Sequence, residues 1–250
     1  MNKTSKLNKT DIEYLTHVWN FYPGCKHDAE VCPCAKDCWA RGMAHRFKRS
    51  FEPCLIPDKL LEPLGRREPA RIGVNFTGDL FGHWVDPDEW IDTQLIPPNN
   101  SGSLPQQKLM DIVKTVMRWS PQHQYYFLTK RPANIIAWGQ WPDNAYMGAT
   151  VCNRSMMIKA LAYLGAVKAK HKWLSIEPLM ENVFKDEDAD YLVSAVINWI
   201  VIGGWSGGHN SPRIEWVKEI ETVADKAGIP VFEKNNLYKL LGALRKDLEQ

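Results

Sequence analysis

The stretch NWIVIGGWSGGHNSPRIEWVKEIETVADKAGIPVF, residues 198–232 of 250, holds the pattern that decides the fold. Asn198 to Ile202 is a short apolar run rich in β-formers, and Ile229 to Phe232 is another. Between them Ser211-Pro212 reads as an N-cap followed by the residue favoured at the first helical position. Gly228 stops the helix, which therefore runs from Pro212 to Lys226. Two strands joined through a helix make a parallel βαβ unit.

The same alternation extends towards the N-terminus. Strand-like runs lie at His17 to Tyr22, Arg71 to Phe76, Gln124 to Leu128, Ala145 to Val151 and Lys172 to Ile176, which makes seven strands with the two above. Helical patterns fall at Lys36 to Arg49, Gln107 to Trp119 and Ser155 to Val167. In the second of these Leu109, Ile112, Val113, Val116 and Met117 share one face. No internal repeat or low-complexity segment is present. The expectation is an α/β fold with a parallel sheet, as a TIM-like (β/α) barrel, partial or complete, which suits 250 residues as one domain. Residues 1–10 read as a flexible tail, and Pro97 to Ser103 as an excursion loop.

Composition narrows the class. With 44% hydrophobic and 24% charged residues the chain is neither disordered nor collagenous nor a coiled coil. Lys and Arg number 31 against 29 Asp and Glu, a net +2 that does not demand a nucleic-acid partner. Residues 1–50 hold nine basic and five acidic side chains, so a polyanionic substrate is permitted there. The opening MNKTSKLNKT lacks an apolar segment behind it, which predicts no secretory signal and a cytoplasmic chain. The uncharged run from Leu192 to Pro212 stays apolar only to about Ile202, short of the roughly 18 residues that span a bilayer, so no membrane is expected.

Four of the six cysteines, Cys25, Cys32, Cys34 and Cys38, fall in GCKHDAEVCPCAKDC, spaced C-x6-C-x1-C-x3-C. Thiols clustered in a loop between a strand and a helix point to metal or iron–sulfur ligation. Zinc sites prefer shorter paired spacings and iron–sulfur clusters tolerate varied ones, and spacing alone leaves both open. Cys54 and Cys152 read as small buried hydrophobes. His27 is an alternative ligand, although a lone loop histidine usually faces solvent, and His209 has the same ambiguity.

Segments that follow the strands are rich in Gly and charge: PGC, TGDLFG, TKRP, EP, GGWSGG and EKNN. In parallel α/β folds the C-terminal ends of strands build the active site. Lys130, beside Arg131, is placed to meet a carboxylate or phosphate. Glu177 is placed to accept from a ribose hydroxyl or relay a proton, and Glu233 with Lys234 reads as a structural pair. Gly203, Gly204, Ser206 and Gly207 give backbone that an adenosine, ribose or phosphate can approach, without matching a P-loop or Rossmann fingerprint. Trp84, Trp90, Trp138, Trp141 and Trp205 lie in expected loops; core packing is the favoured reading over base stacking.

WNFYPGCKHDAEVCPCAKDCWARGMAHRF, followed in order by GDLFG, FLTKRP, GATV, SIEPL, VIGGWSGG and PVFEKNN, resembles the phage-associated three-cysteine family of radical-SAM-like TIM-barrel proteins, of unknown function. The resemblance covers roughly residues 12 to 240. It implies a [4Fe-4S] cluster on Cys25, Cys32 and Cys38, with Cys34 as an alternative middle ligand or a fourth one. It further implies S-adenosylmethionine (SAM) on the open iron, with Gly78 and Asp79 receiving the methionine amino group; a turn capped by Asp79 is the plain alternative. The expected activity is reductive SAM cleavage acting on an unidentified substrate, with a nucleotide or nucleic acid favoured and a reductase or other partner protein involved. Two rivals stand beside it: a zinc-stabilised, non-catalytic nucleic-acid-binding protein using all four cysteines, and a catalytically inactive partner subunit.

Overall fold

The structure, a computed structural model, describes residues 6–92, 106–185, 188–205 and 211–249. The chain divides into two compact units, Met1–Phe127 with Ala137–Ala145, and Leu128–Ile136 with Tyr146–Gln250.

In the first unit β1 (Asn8–Lys9) runs antiparallel to β2 (His17–Trp19), which is parallel to β3 (Arg71–Val74). A two-stranded antiparallel ribbon joins β4 (Trp90–Asp92) to β5 (Gln106–Lys108). Strand β3 is in turn parallel to β6 (Gln124–Thr129), with Val74 opposite Phe127. Helix α1 (Trp39–Arg46) follows the cysteine loop. Helix α2 (Leu109–Trp119) buries Leu109, Ile112, Val113, Val116 and Met117, the face that the 3.6-residue period predicts. Trp138 and Trp141 stack at 5.7 Å, with Phe127 and Phe81 against them, so both tryptophans are core residues.

The second unit carries β7 (Ala145–Thr150), β8 (His171–Ile176), β9 (Trp199–Ile202) and β10 (Val231–Glu233), paired in that order and all parallel. Around them lie α3 (Arg154–Ala166), α4 (Asp188–Ser194), α5 (Ile214–Lys226) and α6 (Tyr238–Leu241). Asn153 caps α3 by accepting from the Met156 amide at 2.9 Å. The chain's last residues dock on β10, with Glu233 N donating to the Arg245 carbonyl and Asp247 N to that of Val231.

All seven expected strands are present, and the fold is mixed α/β with mostly parallel pairing. A closed barrel is not found: among the described residues no strand pairing completes a ring. Within the segment expected as a tail, Asn8 and Lys9 pair with β2, because the chain turns back at once through Thr10 N to Thr16 O. Helix α5 begins later than Ser211-Pro212 implies. Arg213 is its extended N-cap, and Pro212 sits where a Cβ on Gly204 would meet its ring at 3.3 Å. The Gly228 stop stands, at φ +69°.

Candidate functional site

The cysteine loop springs from a close backbone crossing. Gly24 N donates to the Thr77 carbonyl at 3.1 Å, and a Cβ on Gly78 would lie 2.5 Å from the Gly24 oxygen. Gly24 itself holds φ +94°, a region that favours glycine. Gly78 is thus occupied by protein backbone. Buried Asn75, at φ 54°, completes the crossing by accepting from Tyr22 N at 2.7 Å.

Beyond the crossing, Cys25 N donates to Phe51 O, and Cys25 Sγ accepts from His27 N at 3.5 Å. Asp28 Oδ1 accepts from Glu30 N and Val31 N, folding the loop back so that Cys32 N reaches Asp28 O. Cys38 is the N-cap of α1. Cys32 is buried, Cys25, Cys34 and Cys38 are half-buried, and none of the six cysteines is in a disulfide. Cys152 is buried as expected. Cys54 is exposed instead, correcting the reading that made it a core hydrophobe; its backbone N donates to Pro23 O.

His27 is buried rather than solvent-facing. Its Nε2 donates to Asp79 Oδ2 at 2.8 Å, and Asp79 Oδ1 accepts from Phe81 N at 3.0 Å. Trp84 lies edge-on to the His27 ring at 4.9 Å, and His27 Nδ1 has no hydrogen-bond partner. Asp79 thus holds its turn through Phe81 N and accepts from His27 within the protein. The thiols have the soft chemistry that iron or zinc takes. Among the described residues no three His, Cys, Asp or Glu side chains are grouped to hold a metal ion.

In the second unit, Glu177 follows β8 and its Oε1 accepts from Lys234 Nζ at 2.5 Å. Both side chains are mostly buried. Gly203, after β9, is packed against this pair: a Cβ there would meet Glu177 Cγ and Cδ at 3.0 Å. Asn236 brackets Gly204, donating to its carbonyl at 2.9 Å and accepting from its amide at 3.1 Å. Cys152 Sγ donates to the Glu177 carbonyl. Lys130, half-buried, follows β6, and Arg131 N donates to Thr129 Oγ1. Ser206, Gly207 and His209 lie outside the described residues.

Lys234 pairs with Glu177, not with Glu233 as the sequence suggested. Glu233 is buried, and burial first, then a hydrogen bond with Glu221, pushes its carboxyl up to about 7. Asn236 is the residue that sequence reasoning missed, and only the EKNN segment after a strand hinted at it.

A family model described as a protein of unknown function, DUF5131, matches residues 9–96 and 100–243. The chain belongs to DUF5131. No curated protein and no solved structure matches it. The matched span of this DUF5131 chain takes in the cysteine loop, Asp79, Glu177 and Lys234. Among its described residues no helix is long and apolar enough to cross a membrane.

Proposed function

We propose that the chain is a radical-SAM-like iron–sulfur enzyme on a partial (β/α) barrel, cytoplasmic and akin to the phage-associated three-cysteine proteins. The observation that carries this reading is the anchored loop: four thiols between the end of β2 and the first turn of α1, tied down where His27 meets Asp79. In this reading Cys25, Cys32 and Cys38 hold a [4Fe-4S] cluster, with Cys34 as the alternative or fourth ligand, and metal binding completes the arrangement of the thiols. The chemistry such a cluster supplies when bound is one-electron reductive cleavage of SAM, the electron coming from a partner reductase.

The chain's residues bind and orient. Asp79, which accepts from His27 Nε2 and Phe81 N, is proposed to receive the ammonium of SAM. In the second unit Glu177 is proposed to accept from a ribose hydroxyl and Lys130 to meet a carboxylate or phosphate, while Gly203 and Gly204, expected to admit a nucleoside, are packed by Glu177 and Asn236 instead. A nucleotide or nucleic acid is the proposed substrate class.

A second reading is favoured by Cys34, the fourth thiol of the same loop: structural zinc in a non-catalytic nucleic-acid-binding protein. Anaerobic purification with iron, sulfide and zinc analysis separates the two. About four iron and four sulfide per chain, with a visible spectrum that SAM perturbs, is the expected result. Stoichiometric zinc without a chromophore overturns the iron–sulfur reading in favour of the second.

A further inference from the structure

Helix α1 is two turns long and buries a single side chain, Ala40. Trp39, Met43 and Phe47 recur every four residues, which places them on one face, and they are 53%, 42% and 58% exposed. Between residues 36 and 49 stand Lys36, Arg41, Arg46, Lys48 and Arg49 against Asp37 alone, and all six are exposed. The Arg49 guanidinium lies 5.8 Å over the Phe47 ring.

Neither propensity nor packing accounts for this helix. Eight residues with Gly42 inside are too few to hold themselves, and one buried alanine adds little. Three large apolar side chains left in water form a face that calls for an occupant. Its charge selects a polyanion, and its rings select planar partners.

We propose that the exposed face of α1 docks single-stranded nucleic acid, with Arg46, Lys48 and Arg49 on the phosphates and Trp39 and Phe47 stacked on unpaired bases. Stacking needs bases whose faces are open, which a duplex does not present. Trp39 directly follows Cys38, so the strand would pass beside the cysteine loop. The inference deepens the iron–sulfur reading by naming its substrate class and rests on that reading for what happens to the strand, while the docking itself does not depend on the metal.

The test is an anisotropy titration of the full chain with a fluorescein-labelled oligo(dT) 20-mer at several salt concentrations. Three phosphate contacts on a single strand predict a log–log salt slope of about −2. Trp39→Ala with Phe47→Ala is expected to weaken binding about tenfold and keep that slope. Arg46→Glu with Arg49→Glu is expected to weaken binding at least as much and flatten the slope. All four side chains are exposed, so circular dichroism and urea midpoints should match the parent. Binding that both double variants retain, or equal affinity for the duplex, overturns the proposal. So does absence of oligonucleotide binding together with either self-association lost in Trp39→Ala/Phe47→Ala or binding to phosphatidylserine vesicles, each of which names another occupant. Metal content recorded on the same samples keeps the readings apart. Oligonucleotide binding by a zinc-loaded chain sinks the iron–sulfur enzyme alone, and a SAM-responsive cluster without oligonucleotide binding sinks this docking alone.

Discussion

Asp79 and His27, 52 positions apart, share a hydrogen bond of 2.8 Å with both side chains buried. That bond ties the cysteine loop to the turn after β3. Replacing Asp79 with Ala leaves a buried imidazole nitrogen without its acceptor and frees Phe81 N as well. Asp79→Ala is expected to lower stability by about 2 kcal/mol in urea titration. A midpoint equal to that of the parent would show that the pair does not anchor the loop.

The Gly24–Gly78 crossing makes a sharper demand, because the close neighbours are backbone and cannot swing aside. Gly78→Ala sets a methyl 2.5 Å from the Gly24 oxygen, and Gly24→Ala adds an unfavourable φ to contacts of 2.7 Å. Each is expected to cost about 2 kcal/mol or more. Gly65→Ala, with nothing within 4 Å, is the control and should stay within about 0.5 kcal/mol. Comparable melting of all three variants would contradict the geometry.

Glu177 and Lys234 form a mostly buried ion pair across β8 and β10. A double-mutant cycle with Glu177→Gln and Lys234→Met is expected to return a coupling of about 1 kcal/mol or more. Additive single effects would mean that the pair contributes nothing beyond its packing.

How much of this was legible in the sequence follows from the length and separation of each feature. The seven parallel strands announce themselves as apolar runs, whereas β1 (Asn-Lys) and β5 (Gln-Gln-Lys) are short and polar and carry no such signal. Helix α4, seven residues with two Asp in its first turn, is below the length at which periodicity speaks. The cysteine cluster is visible because its spacing is local. His27 with Asp79, and Glu177 with Lys234, are separated by 52 and 57 positions, and nothing in either segment names its partner. Trp138 and Trp141 were expected in loops because no regular strand surrounds them, yet a short 3-10 helix, Pro132–Trp138, leads into them and they fill the core.

Glu233 gives the chain a pH dependence whose sign can be worked out. Its carboxyl, raised to about 7 by burial and by the hydrogen bond with Glu221, keeps its proton in the folded chain well above the range where the unfolded chain has lost it. Glu221 is held low: burial acts against this, but its hydrogen bonds with Glu233 and Lys218 prevail. The folded state therefore binds more protons between about pH 4.5 and 7, and Glu233's contribution to stability, complete below that window, is lost as pH rises through it. His17 and His123 act the other way, since burial lowers both, so the parent's own profile mixes the two trends. Glu233→Gln isolates the carboxyl, because the amide oxygen can still accept from Arg245 N, a bond of 2.8 Å in the parent. Urea midpoints measured from pH 5 to pH 8 should show the variant gaining on the parent by about 2 kcal/mol across the range. A difference that stays flat with pH would mean that Glu233 is ionised throughout, with its charge met by Arg245 and Lys218.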